Sequence, residues 1–309
     1  MDSESTVPTC YRHSAVECRV RCVRCDRSVC PDCMREAAVG HQCPDCAREG
    51  ARPVRRARTL VGGRVSTTPV VTYALIGLNL LAYLGELVRP GIVDRFALVG
   101  ARLAGPDGGW YVYRDPFPEG FRAEGVVTGE WERMLTGPFL HLPPAEGVFG
   151  LLHIAMNMAA LWQLGRAVEP MLGRIRHAVL YLLSALGGSV LVLLLDNPGQ
   201  ATVGASGAVF GLAAAYYVLA RRIGADMRPV NRFMGLLLLW LVVSAGMTSW
   251  QGHLGGLLAG GAVAAAYAHA PRDGRRTAVQ AGACVGLLLL LAAASAIKVS
   301  VLTGGGIPQ

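Results

Sequence analysis

The sequence predicts an all-α polytopic membrane protein, a bundle of seven transmembrane helices behind a small cysteine-rich module. Three observations carry this reading. Of 309 residues, 52% are hydrophobic and only 16% charged, against about a quarter charged in a typical soluble domain. Long apolar runs follow one another from residue 69 onward. Eight of the nine cysteines crowd into the first 46 residues. This balance excludes a disordered chain and disfavours an ordinary soluble enzyme. Thirty-nine glycines with 7% aromatics suit helices packed backbone to backbone in lipid, where small residues permit close approach.

Composition separates three regions: a cysteine-rich module over 1–50, a basic linker over 51–68, and a transmembrane domain over 69–303. The linker carries Arg52, Arg55, Arg56, Arg58 and Arg64. No apolar core segment of a signal peptide is visible in the first fifty residues.

A bilayer core takes about 20 apolar helical residues. Seven segments approach that length, near 69–88, 149–165, 176–195, 204–220, 232–247, 252–270 and 279–301. Arginine and lysine in short loops stay on the cytoplasmic side. Arg166, Arg174 and Arg176 follow the second segment, Arg221, Arg222 and Arg228 the fourth, and Arg272, Arg275 and Arg276 the sixth. Loops 196–203 and 248–251 contain no basic residue. The net charge of +8 therefore marks cytoplasmic loops. The alternation places the N-terminus in the cytoplasm and the C-terminus outside, and the cell membrane is the expected location. The long loop 89–148 carries arginines yet falls outside, where a loop of that length weighs little under the same rule.

The first region reads C-Y-R-H at 10–13, C-V-R-C at 22–25, C-P-D-C at 30–33 and C-P-D-C at 43–46. Each pair aims two donors at one point, and zinc takes four in a tetrahedron. Four pairs predict two structural zinc ions. Only four residues separate Cys25 from Cys30, so sharing between adjacent pairs would need a tight fold-back. An interleaved arrangement is expected: Cys10, His13, Cys30 and Cys33 on one ion, Cys22, Cys25, Cys43 and Cys46 on the other. Cys18 and His41 are left over, and His41 is a candidate replacement for one ligand. A disulfide scaffold is the competing reading, and a reducing cytoplasm disfavours it. The spacing resembles B-box and other cross-brace zinc fingers. The module leaves room for a cytoplasmic protein partner, and the linker beside it suits anionic lipid head groups. Nucleic acid is a weak alternative, because no aromatic residues interleave the basic ones.

A reactive residue at membrane depth is a functional hypothesis by default. His153 and Asn157 on the second segment, Ser206 opening the fourth and His253 opening the sixth qualify. Ser206 stands in G-A-S-G at 204–207, in the first turn of a helix, where unpaired N–H groups suit a developing oxyanion. An N-cap serine is its structural alternative. His253 begins H-L-G-G-L-L-A-G, and Gly256 and Gly260 share its helix face, so that face can pack tightly on a neighbour. The imidazole is then aimed at that neighbour, although a capping or filling histidine is also compatible. His153 and Asn157 are four apart on one face and both offer N–H donors. Interhelical hydrogen bonding is their alternative role.

Together these motifs resemble those of rhomboid intramembrane proteases: W-E-R at 131–133, H-I-A-M-N at 153–157, G-A-S-G at 204–207 and H-L-G-G-L-L-A-G at 253–260. The resemblance covers roughly residues 69–270. It implies a rhomboid-like six-helix core plus a seventh C-terminal transmembrane helix. It implies Ser206 as nucleophile, His253 as general base, and His153, Asn157 and the Ser206 N–H as the oxyanion hole. Trp131 and Arg133 match a loop lying partly in the outer leaflet. Phe210 stands where some relatives stack a tyrosine on the base; a phenyl face can hold the imidazole but donates no hydrogen bond. The first loop is long, with a Gly-Pro-rich insertion over 103–125, and Pro143 and Pro144 separate Phe139 and His141 from the second segment.

The expected activity is that of an intramembrane serine endopeptidase, cutting single-span or other transmembrane proteins near the outer membrane face through a Ser-His dyad with no catalytic cofactor. A catalytically silent rhomboid-like protein that binds or escorts membrane proteins is the alternative. A transporter or lipid-binding bundle would need a polar path continued to the cytoplasmic face, and no Asp, Glu, Lys or Arg lies in the lower halves of the fourth and sixth segments.

Overall fold

A computed structural model describes residues 7–51, 58–143, 147–243, 245 and 248–304. Arg52, Arg55 and Arg56 of the basic linker, Pro144, and positions 244, 246 and 247 of the fifth apolar segment lie outside the described residues. The chain divides into two compact units, Met1–Arg56 and Ala57–Gln309.

The first unit has little regular structure: an antiparallel pair β1 (Arg35–Glu36) and β2 (His41–Gln42), and helix α1 (Pro44–Gly50). Its core is cysteine. Cys10, Cys18, Cys22, Cys30, Cys33, Cys43 and Cys46 are buried around Val29. A unit this small lacks the apolar surface for a core of its own, so its order depends on what the sulfurs hold.

The second unit is mostly helical. Helix α2 (Val70–Val88) leads into the short α3 (Gly91–Phe96). Strands β3 (Arg102–Ala104), β4 (Trp110–Val112) and β5 (Arg122–Glu124) follow, then the short α4 (Arg133–Thr136). Six long helices complete the unit: α5 (Val148–Leu172), α6 (Arg174–Leu195), α7 (Ser206–Arg222), α8 (Met227–Val243), α9 (Trp250–His269) and α10 (Arg276–Leu302). Among the described residues, four helices are long and apolar enough to cross a membrane by length and composition: α2, α5, α6 and α10. The other three long helices have 17, 17 and 20 residues and carry more small or polar side chains.

The helices are apolar outside and polar inside, which is the distribution lipid demands. On α2, Thr72, Asn79, Tyr83 and Glu86 are buried, whereas Leu78, Leu80, Leu81, Leu84 and Leu87 are exposed. The inward polar groups act as clamps. Glu169 on α5 accepts from the Val71 and Thr72 N–H groups and from the Thr72 hydroxyl, at 2.8–3.0 Å. It thereby caps the first turn of α2, whose N–H groups have no intrahelical acceptor. Gln280 on α10 donates to the Val61 and Tyr267 carbonyls and accepts from Arg176. Near the other end of α10, Lys298 donates to the Leu194 carbonyl at 3.0 Å.

Two expectations need correcting. Small sheets interrupt the all-α reading. The three-stranded one lies in the long first loop around the Gly-Pro-rich insertion, where β3 pairs with both β4 and β5. Gly108 at φ +78° and the Asp107 carboxylate, which accepts from the Gly109 N–H, make the turn between β3 and β4. The Arg102 guanidinium covers the Trp110 ring at 3.3 Å and pairs with Glu124. Three-residue strands are too short to reveal themselves by alternation. The second apolar segment also runs on to Leu172, because Arg166, Glu169 and Pro170 belong to α5.

The closest packing lies among α6, α7 and α9. A methyl built on Gly256 would overlap the Gly207 carbonyl, and one on Gly260 would overlap the Gly211 backbone. Gly187 and Gly188 on α6 also face α9, where a methyl would stand 3.0 Å from the Gly255 carbonyl oxygen and 2.7 Å from that of Gly252, respectively. Gly256→Ala should therefore lower stability by about 1–3 kcal/mol, the range for overpacking a tight core. Gly235→Ala, in open space on α8, should leave it unchanged. Thermal unfolding in detergent reads the difference, and equal midpoints would contradict this packing.

Candidate active site

The site begins with the chain's approach to α7. Leu98 and Thr202 exchange backbone hydrogen bonds at 2.8 and 3.0 Å, and the Gly204 N–H donates to the Gly137 carbonyl. Thus the long first loop holds the segment just before Ser206. Arg133, 1% exposed, organises that loop. Its Nη1 donates to the Asp94 and Ala97 carbonyls and its Nε to Glu130, which in turn accepts the Gly125 N–H. Trp131, beside it, is exposed.

Gly204 takes φ +126°, a region that favours glycine, and a Cβ there would sit 2.9 Å from His153 Nε2. Both constraints bring His153 against the backbone two residues before Ser206. Ser206 is the first residue of α7. Its Oγ lies 2.8 Å from His253 Nε2 across the glycine seam. His253 sits in the first turn of α9, which Ser249 caps by accepting the Gly252 N–H. The Phe210 ring stacks on the imidazole, with centroids 4.4 Å apart and planes 4° from parallel. His253 is 4% exposed, and its Nδ1 has no hydrogen-bond partner among the described residues. Among the described residues no carboxylate orients the ring; the phenyl face and the helix packing do so.

On α5, His153 Nδ1 accepts the Leu142 N–H at 3.2 Å. That bond puts the ring hydrogen of neutral His153 on Nε2, the nitrogen beside Gly204. Asn157 donates one amide hydrogen to the His153 carbonyl at 2.8 Å and keeps a second. Ser206, His253, Phe210 and His153 are thus brought together. Asn157 lies one turn further along α5, bonded to His153. Gly256 and Gly260 lie on the packed face of α9.

On the long helices of the same unit, sequence reading missed two buried carboxylates and a buried imidazole: Glu86, Glu169 and His177. The available signal was a lone ionisable side chain inside or at the end of an apolar run, the same rule that singled out His153. Glu86 accepts the His141 N–H at 3.2 Å.

In the first unit, the donor atoms of Cys10, His13, Cys30 and Cys33 all lie within 4.8 Å of one another, as do those of Cys22, Cys25, Cys43 and Cys46. Sets of three sulfurs and a nitrogen, and of four sulfurs, suit zinc. Burial alone would push the Cys10 and Cys22 thiols up. Backbone N–H groups of Arg12, Cys30 and His13 for one, and of Cys43, Arg24 and Cys25 for the other, more than offset it and bring both down to about 6. Burial and neighbouring thiols push Cys33 up to about 11. Bonding to Cys43, together with burial, takes Cys46 to about 12. Four thiols so crowded ionise together only around a cation. His41 pairs in β2 and Cys18 is buried, both outside the two donor sets.

Residues 128–270 match the Rhomboid domain. The chain is similar to the Rhomboid protease GluP of Bacillus subtilis, 33% identical over 48% of this chain and 28% of that protein. It is similar to RHOMBOID-like protein 5 of Arabidopsis thaliana, 34% identical over 44% of this chain and 43% of that protein. It also resembles Rhomboid-type serine protease 2 of Emericella nidulans, 29% identical over 47% of this chain and 29% of that protein. The matched stretch covers less than half of each of these relatives.

Native mass spectrometry of the full chain should find two metal ions bound. Cys43→Ser, which weakens one donor set only, should reduce the count to one. A metal-free parent chain would contradict two metal sites.

Proposed function

We propose that this chain is a rhomboid-family intramembrane serine endopeptidase that cleaves transmembrane proteins with a Ser206–His253 dyad. One observation carries the reading: a hydroxyl and an imidazole from two neighbouring apolar helices lie 2.8 Å apart. The Rhomboid match over 128–270, which includes both residues, and the protease names of similar proteins support it.

In this reading Ser206 Oγ attacks the scissile carbonyl carbon as its proton passes to His253 Nε2. For Nε2 to accept, the neutral ring carries its hydrogen on Nδ1. The negative charge that develops on the carbonyl oxygen falls to the Ser206 N–H at the helix start, His153 Nε2–H and the free amide hydrogen of Asn157. Collapse of the intermediate breaks the C–N bond, and His253 returns the proton to the leaving nitrogen. Water then enters and releases the acyl group by the same two residues in reverse. No metal takes part in these steps. The two zinc ions of the first unit are structural, and a cytoplasmic protein is the partner class proposed for that unit.

The arginine alternation supports a cytoplasmic N-terminus, an outside C-terminus and a site opening to the outer face of the cell membrane. Substrates are then single-span or other transmembrane proteins cut near that face. Small or helix-breaking residues near the cut would free the peptide bond from its helix.

Ser206→Ala and His253→Ala should each lower cleavage of a co-reconstituted single-span substrate by about 10³-fold or more, with unfolding midpoints unchanged. A serine-directed fluorophosphonate should label Ser206 in the parent chain alone. Parent-rate cleavage by Ser206→Ala would overturn the mechanism. Absence of both labelling and cleavage in the parent would favour a silent relative that binds or escorts its clients.

A further inference from the structure

The geometry points to Glu86 as a positioning residue that fixes the hydrogen-bonding direction of His153 at the oxyanion corner. The inference rests on the proposed protease reading for the role of His153, but its geometry stands apart from Ser206 and His253.

Glu86 is 2% exposed, a carboxylate near the end of α2 with no cationic partner among the described residues. Burying such a group is costly unless it is hydrogen-bonded. Its two oxygens accept the His141 N–H at 3.2 and 3.3 Å. The very next N–H, that of Leu142, donates to His153 Nδ1 at 3.2 Å. Two consecutive backbone donors are thus held from opposite sides, one by α2 and one by α5.

Three further contacts keep this short segment in place. The His141 ring packs against His153 with centroids 5.2 Å apart, and the Tyr83 ring meets its other side edge-on at 6.4 Å. The Pro143 carbonyl presses on α5 where only a glycine, Gly150, leaves room. Both ring nitrogens of His141 lack partners among the described residues. The ring thus serves as a spacer, while its backbone carries the polar contact.

The consequence is chemical. A neutral imidazole has one donor and one acceptor nitrogen, and the bond made by one sets the task of the other. While the Leu142 N–H faces Nδ1, Nε2 must be the donor, and Nε2 lies beside Gly204. Were the segment to drift, the Nδ1–H form would become competitive, and Nε2 would turn a lone pair toward the developing oxyanion. Glu86 never touches the substrate; it acts by holding the segment that dictates which nitrogen of His153 carries the hydrogen. A carbonyl oxygen can accept the same N–H, so glutamine should suffice where leucine should not.

The test measures the His153 tautomer by ¹⁵N NMR in histidine-labelled, reconstituted full chain, alongside steady-state cleavage. The His153 resonance, assigned by its loss in His153→Gln, should show the Nε2–H form only in the parent. Glu86→Leu should add the Nδ1–H form and lower kcat by about tenfold or more, with KM within about twofold, since transition-state donors act on kcat. Glu86→Gln should restore both readings to near the parent. An Nδ1–H signal from His153 itself in the parent would overturn the inference without any variant, and so would a Glu86→Leu chain that loses kcat yet keeps a pure Nε2–H signal at His153. Unchanged kcat in a cleaving Glu86→Leu chain would overturn it too. A parent that shows the Nε2–H form but cleaves nothing would instead defeat the protease reading.

Discussion

The molecule depends on one close approach. Gly207 and Gly211 on α7 face Gly256 and Gly260 on α9 with no room for a methyl group between the backbones. The seam runs one turn below Ser206 and His253, so it sets how far apart a hydroxyl and an imidazole can stand. In lipid, little hydrophobic force drives helices together; van der Waals contact between small residues takes its place. The 2.8 Å separation of Ser206 Oγ and His253 Nε2 is the result of that contact. Phe210, one turn below Ser206, then supplies an apolar wall for the His253 imidazole, which has no carboxylate partner among the described residues.

Around the seam, polar groups inside the bundle serve as fasteners. Glu169 caps α2, Gln280 and Lys298 tie down α10, and Arg133 gathers the carbonyls of the first loop. Glu169, Gln280 and Arg133 are buried and Lys298 is half-buried, and each is hydrogen-bonded, the condition under which such groups are tolerated at membrane depth. The first loop then reaches across to Thr202 and Gly204, so an element far from Ser206 in sequence holds the strand that delivers it. The cysteine unit follows a different logic, in which buried sulfur stands in for an apolar core.

The apolar runs were legible as long helices, and among the described residues four of them have the length and composition to cross a membrane. The two donor sets were legible because a CxxC spacing is a local geometric device, and the interleaved sets are the ones whose atoms converge. Gly256 and Gly260 were readable as a packing face from their spacing, though only the folded chain identifies Gly207 and Gly211 as what they face. Sheet β3–β4–β5 escaped, since three-residue strands carry no periodicity. The extension of α5 to Leu172 escaped because Glu169 and Pro170 look like the end of a span, whereas the carboxylate is needed there to cap α2. Glu86 was overlooked among leucines, although a buried carboxylate is as informative as a buried histidine. The link from Glu86 through Leu142 to His153 joins three distant stretches of sequence, and no local pattern encodes it.

The central claim, that Ser206 and His253 meet as a reactive pair within lipid, is tested most directly by a bifunctional inactivator. Such a reagent first acylates a serine hydroxyl and then alkylates an adjacent imidazole. Peptide mapping by mass spectrometry after reaction in bilayers should find one reagent molecule joining the peptide that contains Ser206 to the peptide that contains His253. A reagent attached to a single peptide, or a bridge between other residues, would contradict the pairing.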